Sequence, residues 1–514
     1  CVTCLLFRKM AENISILELL SILDQRTLLA LTLALIVIVW YSILDGKRWK
    51  KLPKGVVLPP HLRSYIPYFG SALQLIAGPT RNFIIQTSRR LKTPVFTATI
   101  SGTKCVFIAD PDLVFVVFKD SIAEIDSLSL QKKALRSIAG LDSATVDGMM
   151  DNKKQYKASM GQIHTYLIHS DHLTKNIALV QKVIKRSLLD TQAKCGEHGD
   201  WASFKMFEFV RKMIFFASIG PLISEGLIND SVVKDYTKFE DGLALLFSDA
   251  PSFVTKENVA ARERLVQFLQ KSEVSEEFSE FFQERNKLLG GNPEHFARVN
   301  LGVFIATVSN SIPSVFWVLF HILTNKEALE ACQQEVQEAA SNCRGDYFTL
   351  EDLDKLKIID SCFKESLRIY QSFFATRNVT NDFILNPKGT PKYLIEKGSR
   401  IMAYPNTVHM DPDIFEDPEV FQYDRFLDET KKGKNGKLLS TSLRPFGGGA
   451  HLCPGRKFIG YETRAFLAMM LLHVDMKLED HTKPGIQLQR QGFSVAHPDF
   501  DPVFQVRPRQ QKIK

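Results

Sequence analysis

The sequence reads Phe446-Gly447-Gly448-Gly449-Ala450-His451-Leu452-Cys453-Pro454-Gly455 near its C-terminus, and an amphipathic, helix-like segment follows at once. A thiolate bound to a metal carries its charge in a buried site, so backbone N–H groups must approach the sulfur without interference from Cβ atoms. The glycines on both sides of Cys453 permit that approach. The helix expected from about Arg456 to His473 directs its positive end at the sulfur and favours the thiolate over the thiol. The stretch therefore predicts a metal-bound cysteine.

These ten residues resemble the haem-binding signature of the cytochrome P450 superfamily, Phe-x-x-Gly-x-x-x-Cys-x-Gly, without a spacing error. The resemblance implies a haem b whose iron takes the Cys453 thiolate as its axial ligand, and such a thiolate favours O–O cleavage. It also gives His451 the position of a residue that contacts a haem propionate. A buried free cysteine in a glycine loop is the alternative. The haem-binding residues that we predict are Cys453, His451, Phe446, Gly447, Gly449, Gly455 and Arg377.

A second motif lies on a helix predicted from Leu350 to Tyr370, which opens at Thr349 with a Thr-Leu-Glu-Asp sequence that resembles a capping box. Glu365 and Arg368 are three positions apart and share one face of this helix. Exposed ion pairs with that spacing stabilise little, but the apolar neighbours here indicate burial, where an unpaired charge is costly. The resemblance supplies Arg425 as the third partner and implies a buried structural network that supports the cysteine loop.

An apolar helix is predicted from Val303 to Asn325, and the resemblance implies that it crosses the opposite face of the haem. Family members typically show Ala-Gly-x-(Asp/Glu)-Thr there, in which an acid and an alcohol relay protons to bound oxygen. Counted from Ala306, Ser309 replaces the acid and Asn310 replaces the threonine, so neither is a carboxylic proton donor. Pro313 is expected to kink the helix and to free the Ser309 carbonyl. Ser309 and Asn310 are our catalytic candidates, and an ordinary kink without chemistry is the alternative.

The departure in this helix is itself typical of one branch of the family. Asn310-x-x-Pro followed by Phe316-Trp317, together with the segment 409–412, resembles the branch that contains sterol 7- and 12-hydroxylases and prostacyclin synthase. The resemblance extends from about Lys54 to the C-terminus and is most specific after Val303. The sequence therefore predicts a member of this branch.

One family contact is missing from the sequence. The Trp-x-x-x-Arg motif that binds a haem propionate has no counterpart, because none of the four tryptophans begins it. Arg377, in a strand-like segment, is our predicted propionate partner instead. The predicted contacts of the substrate pocket are Ala306, Ala375, Thr376 and Phe493, for which a loop or core position is an equally good interpretation.

Residues 27–44 form an uncharged, strongly apolar run near the lower limit for a membrane-spanning helix. Acidic residues precede it and basic residues follow it, whereas a signal peptide carries its basic residues first. The positive-inside rule then places the catalytic domain in the cytosol, with a single-pass anchor in the endoplasmic reticulum membrane. A buried core helix is the alternative. The predicted layout is a lumenal segment at 1–26, a transmembrane helix at 27–44, a basic, proline-containing linker at 45–60 and a haem-binding domain at 61–514. Residues 1–9 precede Met10, the expected initiator, and are not expected to be native.

Composition agrees with a large, mostly helical domain. The chain has 514 residues, 45% of them hydrophobic, and 37 phenylalanines give it an interior suited to an apolar ligand. We expect a mainly α structure with small β-sheets (α+β), the cytochrome P450 fold, with strands in Val95–Ala109, Arg377–Ala403 and Gly485–Val506. The scattered cysteines indicate a reducing compartment. No interleaving of basic and aromatic residues indicates nucleic-acid binding.

Two activities remain open at this point. In the first, the resemblance implies a monooxygenase that receives electrons from NADPH through cytochrome P450 reductase, with cytochrome b5 as a further candidate partner. Its substrate is then an apolar, sterol- or terpenoid-like molecule. In the second, the protein rearranges or dehydrates a peroxide, as prostacyclin synthase does, without O₂ or a reductase. The basic segment after the apolar run favours the first.

The resemblance leaves the substrate undecided. The residues from Arg444 to Gly449 are also similar to fungal family members that act in secondary metabolism. A haem protein that binds ligands without turnover is a third class. The oxidised carbon, its stereochemistry and the pathway therefore stay open.

Overall fold

The computed structural model describes residue 32 and residues 52–509, apart from 65, 67, 119–121, 196–199, 272–276, 344 and 387–390. The predicted lumenal segment and nearly all of the predicted transmembrane helix lie outside the described residues, as does the first half of the linker. Within the described residues, one segment, Pro293–Thr324, is long and apolar enough to cross a membrane, but 78% of its most apolar window is buried inside the protein. That segment is a core element of the fold.

Helices dominate the described chain, and most of them contribute to one large apolar core. They are α1 (Ala72–Ile76), α2 (Thr80–Leu91), α3 (Leu128–Ser137), α4 (Ser143–Asp151), α5 (Lys153–Ile168), α6 (Ser170–Ala193), α7 (Met206–Leu222), α8 (Asp230–Asp241), α9 (Leu243–Phe247), α10 (Ser252–Gln270), α11 (Glu280–Leu289), α12 (Pro293–Val308), α13 (Ser311–Thr324), α14 (Lys326–Asn342), α15 (Leu350–Asp354), α16 (Lys357–Tyr370), α17 (Asn406–His409), α18 (Leu439–Ser442) and α19 (Arg456–His473). Short 3₁₀ turns occupy Val114–Phe118, Gly449–His451 and Leu488–Arg490.

The strands form small sheets at the edge of the helical core. They are β1 (Val56–Val57), β2 (His61–Leu62), β3 (Val95–Ile100), β4 (Thr103–Ile108), β5 (Ile125–Asp126), β6 (Ala202–Lys205), β7 (Gln371–Phe373), β8 (Ala375–Val379), β9 (Phe383–Leu385), β10 (Lys392–Ile395), β11 (Arg400–Ala403), β12 (Val474–Leu478), β13 (Phe493–Val495) and β14 (Val503–Pro508). Among the described residues the sheet orders are β2-β3-β4-β11-β8-β5, β1-β10-β9, β12-β14-β6 and β13-β7. The predicted fold class, mainly helical with small sheets, is confirmed.

All three predicted strand regions contain strands. The first is the β3–β4 hairpin, and the second contains β8 to β11. The third contains β13 and β14, and an antiparallel bridge joins Ile486 to Pro498. Within it, β13 pairs with β7, and β14 pairs with β12 and β6. The chain enters β13 at Gly492, where φ is +90° and an added Cβ would lie 2.8 Å from the Phe374 ring. These short strands find distant partners, so local pattern does not give their pairing.

The helix predicted from Leu350 to Tyr370 is two helices, α15 and α16. Thr349 and Asp352 form the expected capping box at the start of α15. The break after α15 is stabilised by Glu335 of α14, whose carboxylate accepts the N–H groups of Ile358 at 2.7 Å and Ile359 at 3.1 Å. A carboxylate from another helix thus caps the first turn of α16.

The helix predicted from Val303 to Asn325 is also two helices, α12 and α13, which are separated by Ser309 and Asn310. Helical hydrogen bonds continue on both sides: Ser309 N–H donates to the Ile305 carbonyl at 3.1 Å and Ser314 N–H to the Asn310 carbonyl at 3.2 Å. Pro313 has no N–H to donate between them. The expected kink is therefore a two-residue interruption, and it falls on the two catalytic candidates.

Candidate active site

The cysteine loop joins α18 to α19 and depends on its glycines. Gly447 and Gly449 have φ values of +76° and +62°, a left-handed region that residues with a Cβ rarely adopt. The loop closes where the Cys453 N–H donates to the Phe446 carbonyl at 3.0 Å. The helix after it begins at Arg456 and ends at His473, the predicted bounds.

Backbone N–H groups surround the sulfur of Cys453. Those of Gly455 and Arg456 hydrogen-bond to it, and an added Cβ at Gly455 would lie 3.7 Å from Sγ. Burial raises the pKa of the Cys453 thiol, whereas the two N–H groups and the Arg456 charge act in the opposite direction. Burial is the larger effect, and the positive charge of a bound metal is what would favour the thiolate here.

Glu365, Arg368 and Arg425 meet in the interior, with 0%, 0% and 1% of their side chains exposed. Both oxygens of Glu365 accept from Arg368, with Nε and Nη2 each at 2.8 Å, and Oε1 also accepts from Arg425 Nε at 3.0 Å. Arg425 donates further to the Glu416 carbonyl at 2.8 Å. Such multiple hydrogen bonding is what a buried charge requires. The structure thus brings together the three residues that the sequence predicted as a network.

His409 connects this network to the cysteine loop. Arg368 Nη1 donates to the His409 carbonyl at 2.8 Å, and the Arg444 N–H donates to His409 Nε2 at 3.0 Å. Burial and the neighbouring Arg368 charge lower the pKa of His409 to about 3, so the ring stays neutral and accepts. Arg444 directly precedes the glycine loop. The sequence contained His409 only as part of a branch motif, without this role.

The interruption between α12 and α13 lies on a distinctive face of the helix. Gly302, Ala306 and Asn310 are exposed, although most of their neighbours in the helix are buried. Residues four positions apart lie on the same side of a helix. An added Cβ at Gly302 would meet no atom within 4 Å. This stripe of small and polar residues leaves one face of the helix uncovered by protein.

Both residues of the interruption are held by groups from distant elements. Ser309 Oγ lies 2.6 Å from Tyr236 Oη, and Asn310 Oδ1 accepts the Val495 N–H at 3.1 Å. The Ser309 carbonyl, which Pro313 cannot engage, lies near the imidazole of His497. Burial lowers the pKa of His497 well below its ordinary value, so its ring is neutral. The predicted free carbonyl therefore faces a neutral imidazole.

The four predicted pocket residues lie on different elements. Ala306 lies on the uncovered stripe, and Phe493, 47% exposed, contacts Phe247 edge-on at 5.9 Å between ring centres. Phe493 lies in β13, the strand that Asn310 holds. Ala375 is instead buried in the core of the largest sheet, while Thr376 is half-buried with its hydroxyl near the Met402 sulfur. Ala306 lies on the interrupted helix and Phe493 on the strand that Asn310 holds, and contact of all four residues with substrate stays a prediction.

Comparison with known proteins agrees with this site. The family model for cytochrome P450 matches residues 256–503. Cytochrome P450 7A1 of Sus scrofa is 30% identical over 481 residues, which cover 87% of this chain and 93% of that protein. The chain belongs to the cytochrome P450 family. This P450 is a monooxygenase of the branch that the sequence predicted.

Two further relatives define the branch around this P450. The human 7-alpha-hydroxycholest-4-en-3-one 12-alpha-hydroxylase is 27% identical over 511 residues, covering 92% of this chain and 97% of that enzyme. A cytochrome P450 monooxygenase of the fungus Gibberella zeae is 25% identical over 470 residues and covers 86% of each chain. Sterol hydroxylases and a fungal enzyme thus both resemble this chain along most of its length.

Family membership implies a haem with a cysteine thiolate ligand, and the described residues fit it. The sulfur of Cys453 has two N–H donors and an open approach at Gly455. Helix α19, which follows this cysteine, packs against α13, which follows the interruption. The uncovered stripe of Gly302, Ala306 and Asn310 offers a face without bulky side chains for a planar group.

The two predicted propionate partners border the same segment. His451 Nε2 lies 3.2 Å from Ser127 Oγ at the start of α3. Asn378, next to the buried Arg377, donates from Nδ2 to Ser129 Oγ at 2.8 Å. Arg377 itself donates to the Thr376 carbonyl at 2.9 Å. The positive charge of Arg377 acts on Asp126, just before α3. His451 and Arg377 therefore both lie near the start of α3, and their contact with propionates remains a prediction.

Sequence reasoning missed two residues of the site, Tyr236 and His497. Tyr236 and Glu240 are spaced i, i+4 on α8, a signal that could have indicated a shared polar face. His497 follows a short strand and carries no local signal. Both become visible only when distant elements pack against the interruption.

Proposed function

We propose that this P450 hydroxylates an apolar, sterol- or terpenoid-like substrate, using O₂ and electrons from NADPH that arrive through a reductase. The observation that carries the proposal is the Cys453 loop, with two N–H groups on its sulfur, in a chain similar to a 12-alpha-hydroxylase of a cholestenone. Cys453 is the proposed iron ligand. His451 and Arg377 are the proposed propionate partners, with Phe446 and the loop glycines 447, 449 and 455 shaping the haem contact.

The proximal residues have a positioning role in this mechanism. The haem, when bound, supplies the oxidising chemistry. Glu365, Arg368 and Arg425 fix one another, and Arg368 holds His409, which accepts the Arg444 N–H. Arg444, which directly precedes the cysteine loop, is thereby linked to the buried charge network. The network positions Cys453, and its ionisable groups take no part in the reaction.

The distal residues have an orienting role. The Oδ1 atom of Asn310 accepts the Val495 N–H, so its Nδ2 group is the part of the amide that remains to donate. On the uncovered stripe, that group can orient O₂ or a water molecule. Ala306 and Phe493 then border the space for an apolar substrate, which agrees with the aromatic contact between Phe493 and Phe247.

The remaining predictions concern the membrane and the partners. The proposed layout is an anchor at 27–44, a linker at 45–60 and a catalytic domain at 61–514 on the cytosolic side of the endoplasmic reticulum membrane. Cytochrome P450 reductase is the proposed electron donor and cytochrome b5 a second one. The basic residues after the apolar run, at 47–54, support this orientation. A role in secondary metabolism rests on the similarity to the fungal relative.

A CO difference spectrum tests the iron ligand. The reduced, CO-bound parent is expected to show the Soret band of a thiolate ligand, and Cys453→Ser should lose it. Cys343→Ser is the matched control, because Cys343 is also half-buried but lies at the end of α14. A parent that binds haem without a thiolate band, or a Cys453→Ser variant that keeps the band, would contradict the assignment.

The reaction type needs a separate test. The purified protein is incubated with reductase and NADPH against sterols, terpenoids and an organic peroxide, with and without O₂. Hydroxylated sterol or terpenoid that requires both NADPH and O₂ supports the proposal. If the peroxide is converted without NADPH and the sterols and terpenoids are not hydroxylated, the proposal is replaced by the rearrangement that prostacyclin synthase performs.

A further inference from the structure

Monooxygenation consumes protons as well as electrons. In the balanced reaction, O₂, two electrons and two protons give one hydroxyl group on the substrate and one water. The described part of the distal helix interruption carries no carboxylate, because Ser309 and Asn310 occupy it. Ser309 is only 4% exposed and its hydroxyl lies against α8. A side-chain acid that supplies these protons must therefore lie on another element.

A chain of polar side chains leads from Ser309 to the surface. Tyr236 Oη lies 2.6 Å from Ser309 Oγ and donates to Glu240 Oε1 at 3.4 Å. Arg490 Nη2 lies 3.4 Å from that same oxygen, and its Nη1 lies 3.0 Å from Asp241 Oδ1. The Asp241 side chain is 57% exposed, whereas Tyr236 and Glu240 are buried. Each contact is one step nearer to solvent.

Packing alone does not require these polar atoms. The Tyr236 ring lies among aromatic side chains, with ring centres 5.3 Å from Phe215 and 6.0 Å from Phe304. A phenylalanine would serve that packing equally well. Burying a hydroxyl and a carboxylate without apolar gain is unfavourable unless they are hydrogen-bonded. The polar chain is therefore a feature that the fold maintains at a cost.

Tyr236 is suited to pass a proton without ionising. Burial and the neighbouring Glu240 charge raise its pKa well above the ordinary value. A neutral hydroxyl both donates and accepts. It can therefore accept a proton on one side while it releases its own on the other.

We propose that Tyr236 and Glu240 form a proton relay to Ser309 and replace the acid that family members carry in the distal helix. The inference rests on the proposed function, since it needs the haem beside the interruption. Ser309 gives its hydroxyl proton to the oxygen or water molecule that Asn310 orients. It then takes the hydroxyl proton of Tyr236. Tyr236 takes one from Glu240, whose carboxylate first accepts a proton from solvent beside Arg490 and Asp241. Each O–H bond that breaks is matched by one that forms, and no electron moves along the chain.

Tyr236→Phe and Glu240→Gln test the relay. The first keeps the ring but removes the hydroxyl, and the second keeps an oxygen for Arg490 but cannot carry a proton. Tyr404→Phe is the matched control, because Tyr404 is also buried and its hydroxyl lies 2.8 Å from that of a serine, Ser372, outside the chain. The readouts are the CO spectrum, the substrate-induced Soret shift, the solvent deuterium isotope effect, and product and hydrogen peroxide formed per NADPH consumed.

Both relay variants are expected to keep the thiolate band and the substrate shift. Product per NADPH should fall by about a hundredfold, the lower end of the usual range for a positioned proton donor, and hydrogen peroxide should rise correspondingly. The solvent isotope effect should change in both variants and not in Tyr404→Phe. Ser309→Asp in the Tyr236→Phe background should restore part of the product yield, because it returns an acid to the interruption.

The outcomes separate the relay from the proposed function. A parent without a thiolate band or NADPH-driven oxidation contradicts the proposed function, and the relay with it. An active parent whose Tyr236→Phe and Glu240→Gln variants match Tyr404→Phe in yield and isotope effect rejects the relay alone. If Tyr236→Phe fails to bind haem, Glu240→Gln decides, since it preserves the shape of the site.

Discussion

The cysteine loop and the distal helix interruption are held in place by different forces. The loop is supported by Glu365, Arg368 and Arg425, whose charges are almost completely buried and share direct hydrogen bonds. The interruption is held by neutral groups, among them the hydroxyl of Tyr236 and the backbone of Val495. Losing one partner of a buried charge costs about 3–5 kcal/mol, whereas a neutral hydrogen bond contributes about 0.5–1.5 kcal/mol. The proximal side is therefore rigid, and the distal side is the one that sequence change can remodel.

Arg368→Met tests the more strongly held region, the charge network that supports the cysteine loop. It leaves Glu365 with its charge and with Arg425 as its one remaining salt-bridge partner among the described residues, so we expect a loss of about 3–5 kcal/mol in unfolding free energy and little haem incorporation. Lys364→Met is the matched control on the same helix, because Lys364 pairs with Asp360 at 2.8 Å but is 41% exposed. That change should cost at most about 1 kcal/mol. Denaturant unfolding and the haem-to-protein ratio measure both. Equal effects for the two variants would mean that burial of the network does not set the rigidity of the loop.

Glu462 shows what a buried carboxylate does without an ion pair. It is as buried as Glu365, but no arginine pairs with it among the described residues. It lies on α19 and hydrogen-bonds to Ser218, while its second oxygen has no hydrogen-bond partner among the described residues. Burial raises the pKa of Glu462 from 4.5 to about 8. Between these pH values the folded protein keeps a proton that the unfolded chain has released. The contribution of Glu462 to stability is thus full below pH 4.5 and is lost as the pH rises towards 8, by at most about 1.4 kcal/mol per unit.

Glu462→Gln should remove this pH dependence. The variant cannot ionise, so its melting temperature should change less than that of the parent between pH 5 and 8. Glu479→Gln is the control, because Glu479 also accepts from a serine, Ser203 at 2.6 Å, but is exposed. It should follow the parent. A Glu462→Gln profile that parallels the parent would show that the buried carboxyl does not titrate in this range.

The proximal half of the site could be predicted from the sequence because its motifs are local. The residues around Cys453 are contiguous, and Glu365 and Arg368 are one helical turn apart. The resemblance added Arg425, and the structure brings it to Glu365. The start and end of α19 were also correct, since the loop glycines and the apolar segment set them. The sequence contained His409 only as part of the 409–412 motif. Its role could not be predicted, because its contacts depend on how α17 packs.

The distal half could be predicted only in part. Pro313 indicated a disturbed helix, but a two-residue interruption depends on contacts that span long stretches of chain. Tyr236 is 73 residues from Ser309, and Val495 is 185 residues from Asn310. The pairing of β13 with β7 was missed for the same reason. No local periodicity encodes which of several short polar segments will meet in the folded core.

Substitution of Asn310 is expected to have the smallest effect on stability, and it tests how the distal side is held. Asn310→Ala removes the acceptor for the Val495 N–H, so we expect a loss of about 1 kcal/mol in unfolding free energy and a weaker substrate-induced Soret shift, because β13 carries Phe493. Asn310→Asp keeps an acceptor oxygen and should retain both stability and the shift. Thermal unfolding and substrate titration measure the two variants side by side. If the alanine variant bound substrate like the parent, β13 would be held by its pairing with β7 alone, and the distal side would be as rigid as the proximal one.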